Sequence, residues 1–355
     1  MESTLTAEAS LTTKTNNATT VAFHGDGKTY FGIWITNLLL TIVTFGIYGA
    51  WAKVRNHQYM YGNTEIDGHT FKYHAKPVQI LIGRVIAIAG FSAFAVCLNI
   101  LQQPLIAFAM MGVYFLALPW IINSGLRFSM RMTSYRNVRF NFKGTYGGAF
   151  KTFLLFPFLS VFTFYLITPW VLRRMHQYML SNSYYGEEQF ETNLQTHAFS
   201  KAFLSVLLIM FTALAIPAGL ALTSGASLGD NMPVMIQVGF LVTYIIGYIL
   251  GFACFQTMVR NHLYNNTRIP GVATLHSNLR VRDYVRVFGS NILAIVATLG
   301  FFTPWAAIRH AKLLASATTL TLHDGIEAVQ DSAQANESAI GEEAADVFDL
   351  DLAIG

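Results

Sequence analysis

Seven long apolar blocks constrain this chain more than any other feature of its sequence. They lie at about 31–51, 78–99, 104–126, 150–171, 202–223, 232–256 and 285–305. Each has roughly the 20 residues that an α-helix needs to cross a hydrocarbon core about 30 Å thick. Only 12% of the 355 residues are charged, whereas soluble domains have about a quarter. The blocks therefore predict an all-α membrane protein with several spans.

The two ends of the chain differ from these blocks. Residues 1–20 are rich in Ser, Thr and Asn, and residues 326–355 are acidic and contain no Lys or Arg. Both compositions predict disorder, which leaves a membrane domain over residues 21–325. The first residues have no apolar core of a cleaved signal peptide, so we expect the first block to serve as the insertion signal.

One motif occurs three times, in copies at about 21–75, 140–195 and 274–323. In each copy a Thr is followed seven residues later by Trp and four residues after that by Arg. The residues are Thr44, Trp51 and Arg55; Thr163, Trp170 and Arg174; and Thr298, Trp305 and Arg309. Two helix pairs, at about 78–126 and 202–256, separate the copies. Such self-similarity predicts three internal repeats.

Short alternating stretches accompany the repeats. Residues 71–73, 140–142 and 319–323 alternate apolar with polar side chains, a pattern typical of strands. We expect them to form edge strands of a small sheet at the cytoplasmic membrane face.

These motifs resemble the YjgN-like family of bacterial inner-membrane proteins of unknown function. The resemblance rests on a Phe-x-Gly opening at Phe23, the Thr-Phe-Gly-Ile-Tyr-x-x-Trp run from Thr44, and the Arg-Asn-His-x-Tyr segment from Arg55. It continues through Asn63-Thr64, Gly68 and Phe71, and spans residues 21–325. It implies an inner-membrane location in Gram-negative bacteria and carries no activity, substrate or site residues with it.

The distribution of basic residues bears on the topology. The connections at 99–104 and 223–232 contain no Lys or Arg, whereas every other connection is basic. Basic connections stay in the cytoplasm, yet seven alternating crossings cannot put both neutral connections outside, because three blocks separate them. We therefore expect four full spans from the two helix pairs and three re-entrant blocks. Seven full spans are the alternative.

Repeated Arg, His and Tyr residues near the block ends are the first candidate site. Residues four apart share a helix face, and basic pockets between helices bind anionic headgroups. The candidate anion- or headgroup-binding residues are Arg55, His57, Tyr59, Arg174, His176, Tyr178, Arg260, His262 and Tyr264. The alternative is that they are snorkelling arginines and an aromatic belt that set helix depth.

Polar residues inside the blocks are the second candidate site. A transporter or channel is expected to have a wet cavity where broken helices meet. The candidate lining residues are Asn37, Thr44, Thr163, Asn291 and Thr298. The threonines have an alternative role, as hydroxyls that bond their own helix carbonyls near a bend.

Several classes of function lack support in the sequence. No catalytic trio or Walker loop is present, so we expect no enzyme and no cofactor. The two cysteines, Cys97 and Cys254, lie inside blocks, and no ligand spacing accompanies the histidines, so we expect no metal. The net charge of +4 suits anionic lipid better than nucleic acid. A scaffold or anionic-lipid-binding protein is the first hypothesis, a small-solute transporter the second; protein partners stay open.

Overall fold

The computed structural model describes residues 18–223 and 232–332. Its helices are α1 Gly27–Val43, α2 Gly49–Gly62, α3 Pro77–Asn99, α4 Pro104–Arg131, α5 Tyr146–Ala149, α6 Phe156–Phe162, α7 Thr168–Ser181, α8 Thr196–Thr223, α9 Val234–Asn265, α10 Val281–Ala297 and α11 Thr303–Ser316, with a π-helix at Phe150–Leu155. Its strands are β1 Ala18–Thr20, β2 Ala22–Phe23, β3 Thr64–Ile66, β4 His69–Tyr73, β5 Thr133–Tyr135, β6 Val138–Phe142, β7 Ser183–Tyr185, β8 Glu188–Gln189, β9 Glu191–Thr192, β10 Thr267–Ile269, β11 Ala273–Ser277 and β12 Thr318–Leu322.

The strands close into one antiparallel ring. Strands β2 to β8 pair in sequence order, and the remaining five pair in the order β9, β10, β11, β12, β1. A single residue, Val21, separates β1 from β2, and Phe190 alone separates β8 from β9. Each of these two pairs is therefore one extended segment that belongs to both parts of the sheet. The result is a ring of ten extended segments with no free edge.

The closed ring differs from the predicted small sheet. The predicted strands at 71–73, 140–142 and 319–323 coincide with β4, β6 and β12, but each of these has a strand neighbour on both sides. The expectation of edge strands is wrong, because the first strand, β1, pairs with the last, β12.

Five helical hairpins leave the ring. Each one lies between two strands that pair with each other. Hairpin 1 is α1–α2, hairpin 2 is α3–α4, hairpin 3 is α5–α7, hairpin 4 is α8–α9 and hairpin 5 is α10–α11. Because neighbouring antiparallel strands run in opposite directions, each hairpin starts and ends at the same edge, here named the helix edge. The opposite edge, named the turn edge, carries the connections at 67–68, 136–137, 186–187 and 270–272.

The same hydroxyl bond marks the end of every hairpin. The first residue of each returning strand is Thr or Ser, and its hydroxyl donates to the carbonyl four residues earlier. These bonds are Thr64 to Met60 at 2.9 Å, Thr133 to Ser129 at 3.0 Å, Ser183 to Met179 at 2.8 Å, Thr267 to Leu263 at 2.7 Å and Thr318 to Leu314 at 2.7 Å. The last carbonyls of a helix lack amide donors, so the hydroxyl stabilises the point where helix changes to strand.

The hairpins fall into two groups by the length of their helices. The four helices of hairpins 2 and 4 have 23 to 32 residues and are the described helices that are long and apolar enough to cross a membrane. They are about 35 to 48 Å long at 1.5 Å per residue. In hairpins 1, 3 and 5 the apolar block is interrupted by a turn, at 44–48, 163–167 and 298–302. Helices of 17 and 14 residues in hairpins 1 and 5 reach only about 26 and 21 Å.

The tips of the three short hairpins are apolar and exposed. Phe45 is 98% exposed, Phe164 is 88% exposed and Leu299 is 91% exposed. Exposed apolar patches of this kind mark contact with a membrane or a partner. All three residues also adopt positive φ angles, between 49° and 50°, which are uncommon outside glycine.

Both ends of the membrane domain differ from the prediction. Residues 18–20 form β1, and residues 325–332 are α-helical. Ile326 in that segment is 5% exposed and belongs to the core inside the ring. Disorder is therefore wrong for residues 18–20 and 326–332. The remainder of the two predicted disordered ends lies outside the described residues.

The hydroxyl bond at the junction of helix and returning strand leads to a prediction about stability. Replacing Thr133 by Val removes the bond to Ser129 from a residue that is 8% exposed, so we expect a loss of about 1 kcal/mol in the free energy of unfolding. The matched control is Thr212→Val in α8, whose hydroxyl makes the same bond to Leu208 in mid-helix. Denaturant unfolding in detergent measures both, and an equal loss in the two variants would contradict the special role of the junction.

Candidate functional site

Two asparagines predicted to line a cavity instead join the two helices of their own hairpin. Asn37 is 3% exposed, and its Nδ2 donates to Asn56 Oδ1 at 3.1 Å. Its Oδ1 accepts from Arg55 Nη1 at 3.4 Å. Asn291 is equivalent: its Nδ2 donates to the Ala306 carbonyl at 3.1 Å, and its Oδ1 accepts from Arg309 Nη1 at 2.8 Å. These amides stabilise hairpins 1 and 5.

The three candidate threonines brace the hairpin tips. Thr44 Oγ1 donates to the Leu40 carbonyl at 2.7 Å and accepts from the Tyr48 amide at 2.9 Å. Thr298 donates to the Ala294 carbonyl at 2.7 Å and accepts from the Phe302 amide at 2.9 Å. Thr163 donates to the Ser160 carbonyl at 3.0 Å. These bonds fit the alternative in which the threonine hydroxyls bond their own helix carbonyls near a bend. The five candidate lining residues make their bonds within three separate hairpins and not around one cavity.

The candidate arginines fall into two groups. Arg55 and Arg174 each stand nine residues before the Thr or Ser that ends their hairpin, whereas Arg260 stands seven before Thr267. Two residues correspond to about 200° around a helix, so Arg260 lies on a different face. The residue of hairpin 5 that is equivalent to Arg55 and Arg174 is Arg309, which stands nine residues before Thr318. The spacing after Trp305 signals it, but the candidate set omitted it in favour of Arg260.

Arg55, Arg174 and Arg309 are all exposed. Arg55 Nη1 donates to Tyr48 at 3.1 Å in addition to Asn37. Arg309 Nη2 donates to Ser290 at 2.9 Å. The Arg174 guanidinium lies 5.3 Å from the Trp170 ring centroid. Within residues 18–223 and 232–332 these contacts are neutral, and no carboxylate is among them.

The candidate histidines are packed against aromatic rings. His57 stacks on Tyr61 of α2 and packs at a tilt against Tyr73 of β4, and His176 stacks on Phe199 with ring centroids 5.7 Å apart. Burial lowers the pKa of both imidazoles below the usual 6.5, which favours their neutral form. His262 Nε2 accepts from the Gln195 amide at 3.0 Å. The histidines therefore support packing at the helix edge rather than its positive charge.

Two candidate tyrosines fix the start of their hairpins. The Tyr59 hydroxyl accepts from the Asp26 amide and donates to the Asp26 carbonyl, both at 2.9 Å. The Tyr178 hydroxyl lies 2.9 Å from the Thr145 carbonyl and 3.0 Å from Asn123 Oδ1. In hairpins 1 and 3 the second arm is thus bonded to the residue that precedes the first arm.

The ring encloses a cavity of about 550 Å³ that the sequence did not predict. Its wall is formed mainly by aromatic and aliphatic side chains of alternating strand positions, among them Phe23, Phe71, Phe140, Phe190, Leu275, Leu320 and Leu322. At the turn edge Val138, Tyr185 and Ile326 are almost fully buried and close the cavity. Burial also raises the pKa of the Tyr185 phenol, so this lining side chain stays neutral.

The other end of the cavity lies between helix ends, and of the described side chains that line it only Arg260 is charged. Tyr61, Tyr264, Arg260 and Leu314 line it. Arg260 Nη1 donates to Ser277 Oγ at 2.7 Å, and its Nη2 lies 2.9 Å from Thr318 Oγ1 and 3.4 Å from the Leu314 carbonyl. Its guanidinium carbon lies 4.1 Å from the Tyr264 ring centroid. Arg260 therefore belongs to this cavity and not with Arg55 and Arg174.

Comparison with known proteins places these features in a family. The model of a family described as bacterial proteins of unknown function matches residues 18–347. The inner membrane protein YjgN of Salmonella typhimurium is 29% identical over 159 residues, covering 44% of this chain and 40% of that protein. YjgN of Escherichia coli O157:H7 is 33% identical over 138 residues, covering 39% of this chain and 34% of that protein. The matched stretch thus spans two fifths or less of each relative, and no solved structure matches significantly.

Proposed function

The chain belongs to the DUF898 family of bacterial proteins of unknown function, and we propose that it is a scaffold that binds anionic lipid headgroups through its three short hairpins. It is a multi-pass protein of the bacterial inner membrane. The proposal rests on one observation: three exposed arginines stand at the same distance from the ring, nine residues before the Thr or Ser that ends hairpins 1, 3 and 5.

The first step of the proposal is the topology. Hairpins 2 and 4 supply four crossings, and hairpins 1, 3 and 5 enter the membrane and return. The connections within hairpins 2 and 4 contain no Lys or Arg, whereas the residues that join hairpin to hairpin are basic. Basic segments stay in the cytoplasm, so the ring lies on the cytoplasmic side. This arrangement removes the conflict that seven alternating crossings create.

The second step is the depth of the arginines. Helix α3, with 23 residues, exceeds a 30 Å hydrocarbon core by only about 5 Å, but α4, α8 and α9 have 28 to 32 residues, or about 42 to 48 Å, and exceed it by about 12 to 18 Å. That surplus separates the ring from the hydrocarbon. Nine helical residues span about 13 Å, so Arg55, Arg174 and Arg309 lie where the hydrocarbon meets the headgroups. The apolar tips beyond them, such as Phe45 and Leu299, then lie in lipid.

The third step is the chemistry of the arginines. Their contacts with Asn37, Tyr48, Trp170, Ser290 and Asn291 are neutral, so the positive charges are available to an external anion. A guanidinium matches a phosphate through two parallel hydrogen bonds. Three of them around one ring favour a cluster of anionic headgroups over a single small ion.

The topology is tested by cysteine labelling. In a background of Cys97→Ser and Cys254→Ala, single cysteines are introduced by Thr20→Cys, Ser316→Cys and Gln103→Cys. We expect an impermeant maleimide to label positions 20 and 316 only in inverted vesicles, because Thr20 lies in β1 of the ring and Ser316 is the last residue of α11, next to the ring. Position 103, at the tip of hairpin 2, is expected to react only in spheroplasts. Labelling of positions 20 and 316 from opposite sides would support seven crossings and contradict the proposal.

The headgroup site is tested by removing its charge. We expect the triple variant Arg55→Gln, Arg174→Gln and Arg309→Gln to lose about 100-fold in affinity for phosphatidylglycerol, because each basic group at the surface contributes about 1 kcal/mol. The control Lys72→Gln, Arg139→Gln and Arg268→Gln removes equal charge from the strands. Native mass spectrometry in detergent measures the bound lipid. Equal loss in both triple variants would show that only net charge matters and would refute the site.

A further inference from the structure

We infer that the cavity inside the strand ring binds one acyl chain of an anionic amphiphile, with the chain in the ring and the head beside Arg260. This inference goes beyond the headgroup site of the short hairpins and does not rest on it, because the two use different surfaces and different arginines.

The side chains that line the cavity favour an apolar ligand. About 550 Å³ is enclosed almost entirely by aliphatic and aromatic side chains. Water in such a space has few polar partners, and an empty space forfeits dispersion contacts along its wall. Binding sites for small ligands typically have volumes of about 300 to 1,000 Å³ and an apolar lining with few polar groups. The ring cavity has the volume and the lining of such a site.

The length of the cavity suits a single chain. Its longest strands, β4, β6, β11 and β12, have five residues each, which corresponds to about 17 Å. One leaflet contributes half of a hydrocarbon core that is about 30 Å thick. An acyl chain that fills one leaflet therefore has nearly the length of the ring.

The two ends of the cavity set the direction of binding. At the turn edge Ile326 and Val329 of the segment 325–332 pack against the core inside the ring, and Val329 contacts the turn at Gly186. That end is closed. At the helix edge the lining residues come from the last turns of α2, α9 and α11. The chain therefore enters between these helices, from the side on which the protein meets the bilayer.

Arg260 supplies the reason for an anionic head. It is partly buried at the open end, and its contacts are two hydroxyls, one carbonyl and the Tyr264 ring, none of which neutralises its charge. A guanidinium has five N–H donors, and the described contacts leave some of them unused. Burying a charge without a counter-charge is costly. A carboxylate or phosphate next to the open end of the cavity provides that counter-charge.

Filling the cavity tests the inference. Leu275 lines the cavity and the neighbouring His276 is exposed on the outside of the same strand, so Leu275→Trp and His276→Trp are a matched pair. The full chain carrying Arg55→Gln, Arg174→Gln and Arg309→Gln, which lacks the headgroup site, is purified in detergent, and bound amphiphiles are extracted and quantified by mass spectrometry. We expect about one anionic amphiphile per chain in this background and with His276→Trp added, and at least a five-fold reduction with Leu275→Trp added. Equal occupancy in all three proteins, or recovery of detergent alone, would overturn the inference.

The role of Arg260 is tested separately, and this test stands if Leu275→Trp fails to fold. In the same Arg55→Gln, Arg174→Gln and Arg309→Gln background, Arg260→Lys keeps the charge and Arg260→Met removes it, while Lys72→Met removes a charge outside both lipid sites. We expect Arg260→Met alone to lose selectivity for anionic over neutral chains. The extracted mass identifies the source, since a free fatty acid and a phospholipid differ in their headgroup. Unchanged selectivity in Arg260→Met would refute the placement of the head.

The two lipid sites are separable by these variants. We expect Arg55→Gln, Arg174→Gln and Arg309→Gln together to leave the cavity occupied, and Leu275→Trp to leave phosphatidylglycerol affinity unchanged. Loss of the cavity ligand in the arginine triple variant would contradict the independence of the two sites.

Discussion

Backbone hydrogen bonds between β1 and β12 close the strand ring, and the rest of the architecture depends on that closure. An open sheet exposes unpaired N–H and C=O groups at its edges, whereas here each of the ten extended segments of the described ring, with β1–β2 and β8–β9 each taken as one, has a neighbour on both sides. Within a closed antiparallel ring, a chain that leaves after one strand must return into the next. The five hairpins consequently share one edge, and the apolar helices extend away from a base held together by main-chain pairing.

The chain has few charged residues and two separate apolar regions: the exposed surface of the long helices and the core inside the ring. Side chains of hairpins 2 and 4, such as Phe91 and Leu208, are exposed along their length, as expected of helices surrounded by lipid. Side chains inside the ring, such as Val138 and Tyr185, are buried by the protein itself. The arginines lie between these regions. Arg55, Arg174 and Arg309 face outward, and Arg260 faces the cavity.

The sequence predicted the elements better than it predicted their arrangement. Apolar length identified α3, α4, α8 and α9, and alternation located β4, β6 and β12. Closure could not be predicted, because it joins Thr20 to Thr319 across almost the whole chain. The tip turns were hidden for a local reason: Phe45 and Phe164 adopt positive φ, where sequence rules expect glycine or asparagine. The equivalence of Arg309 with Arg55 becomes apparent only when residues are counted back from the Thr or Ser that ends each hairpin. The cavity becomes apparent only once the strands are joined into a ring.

Cross-linking the first strand to the last tests closure most directly. Thr20 lies opposite Thr319 in the register of β1 and β12, and disulfides require Cα atoms about 4.4 to 6.8 Å apart, as directly opposed antiparallel residues are. In a chain free of its native cysteines, we predict that Thr20→Cys with Thr319→Cys forms a disulfide on mild oxidation in native membranes. Thr20→Cys with Thr321→Cys, displaced by two residues along β12, is predicted to remain reduced. Failure of the first pair to cross-link, or equal cross-linking of both pairs, would contradict the closed ring.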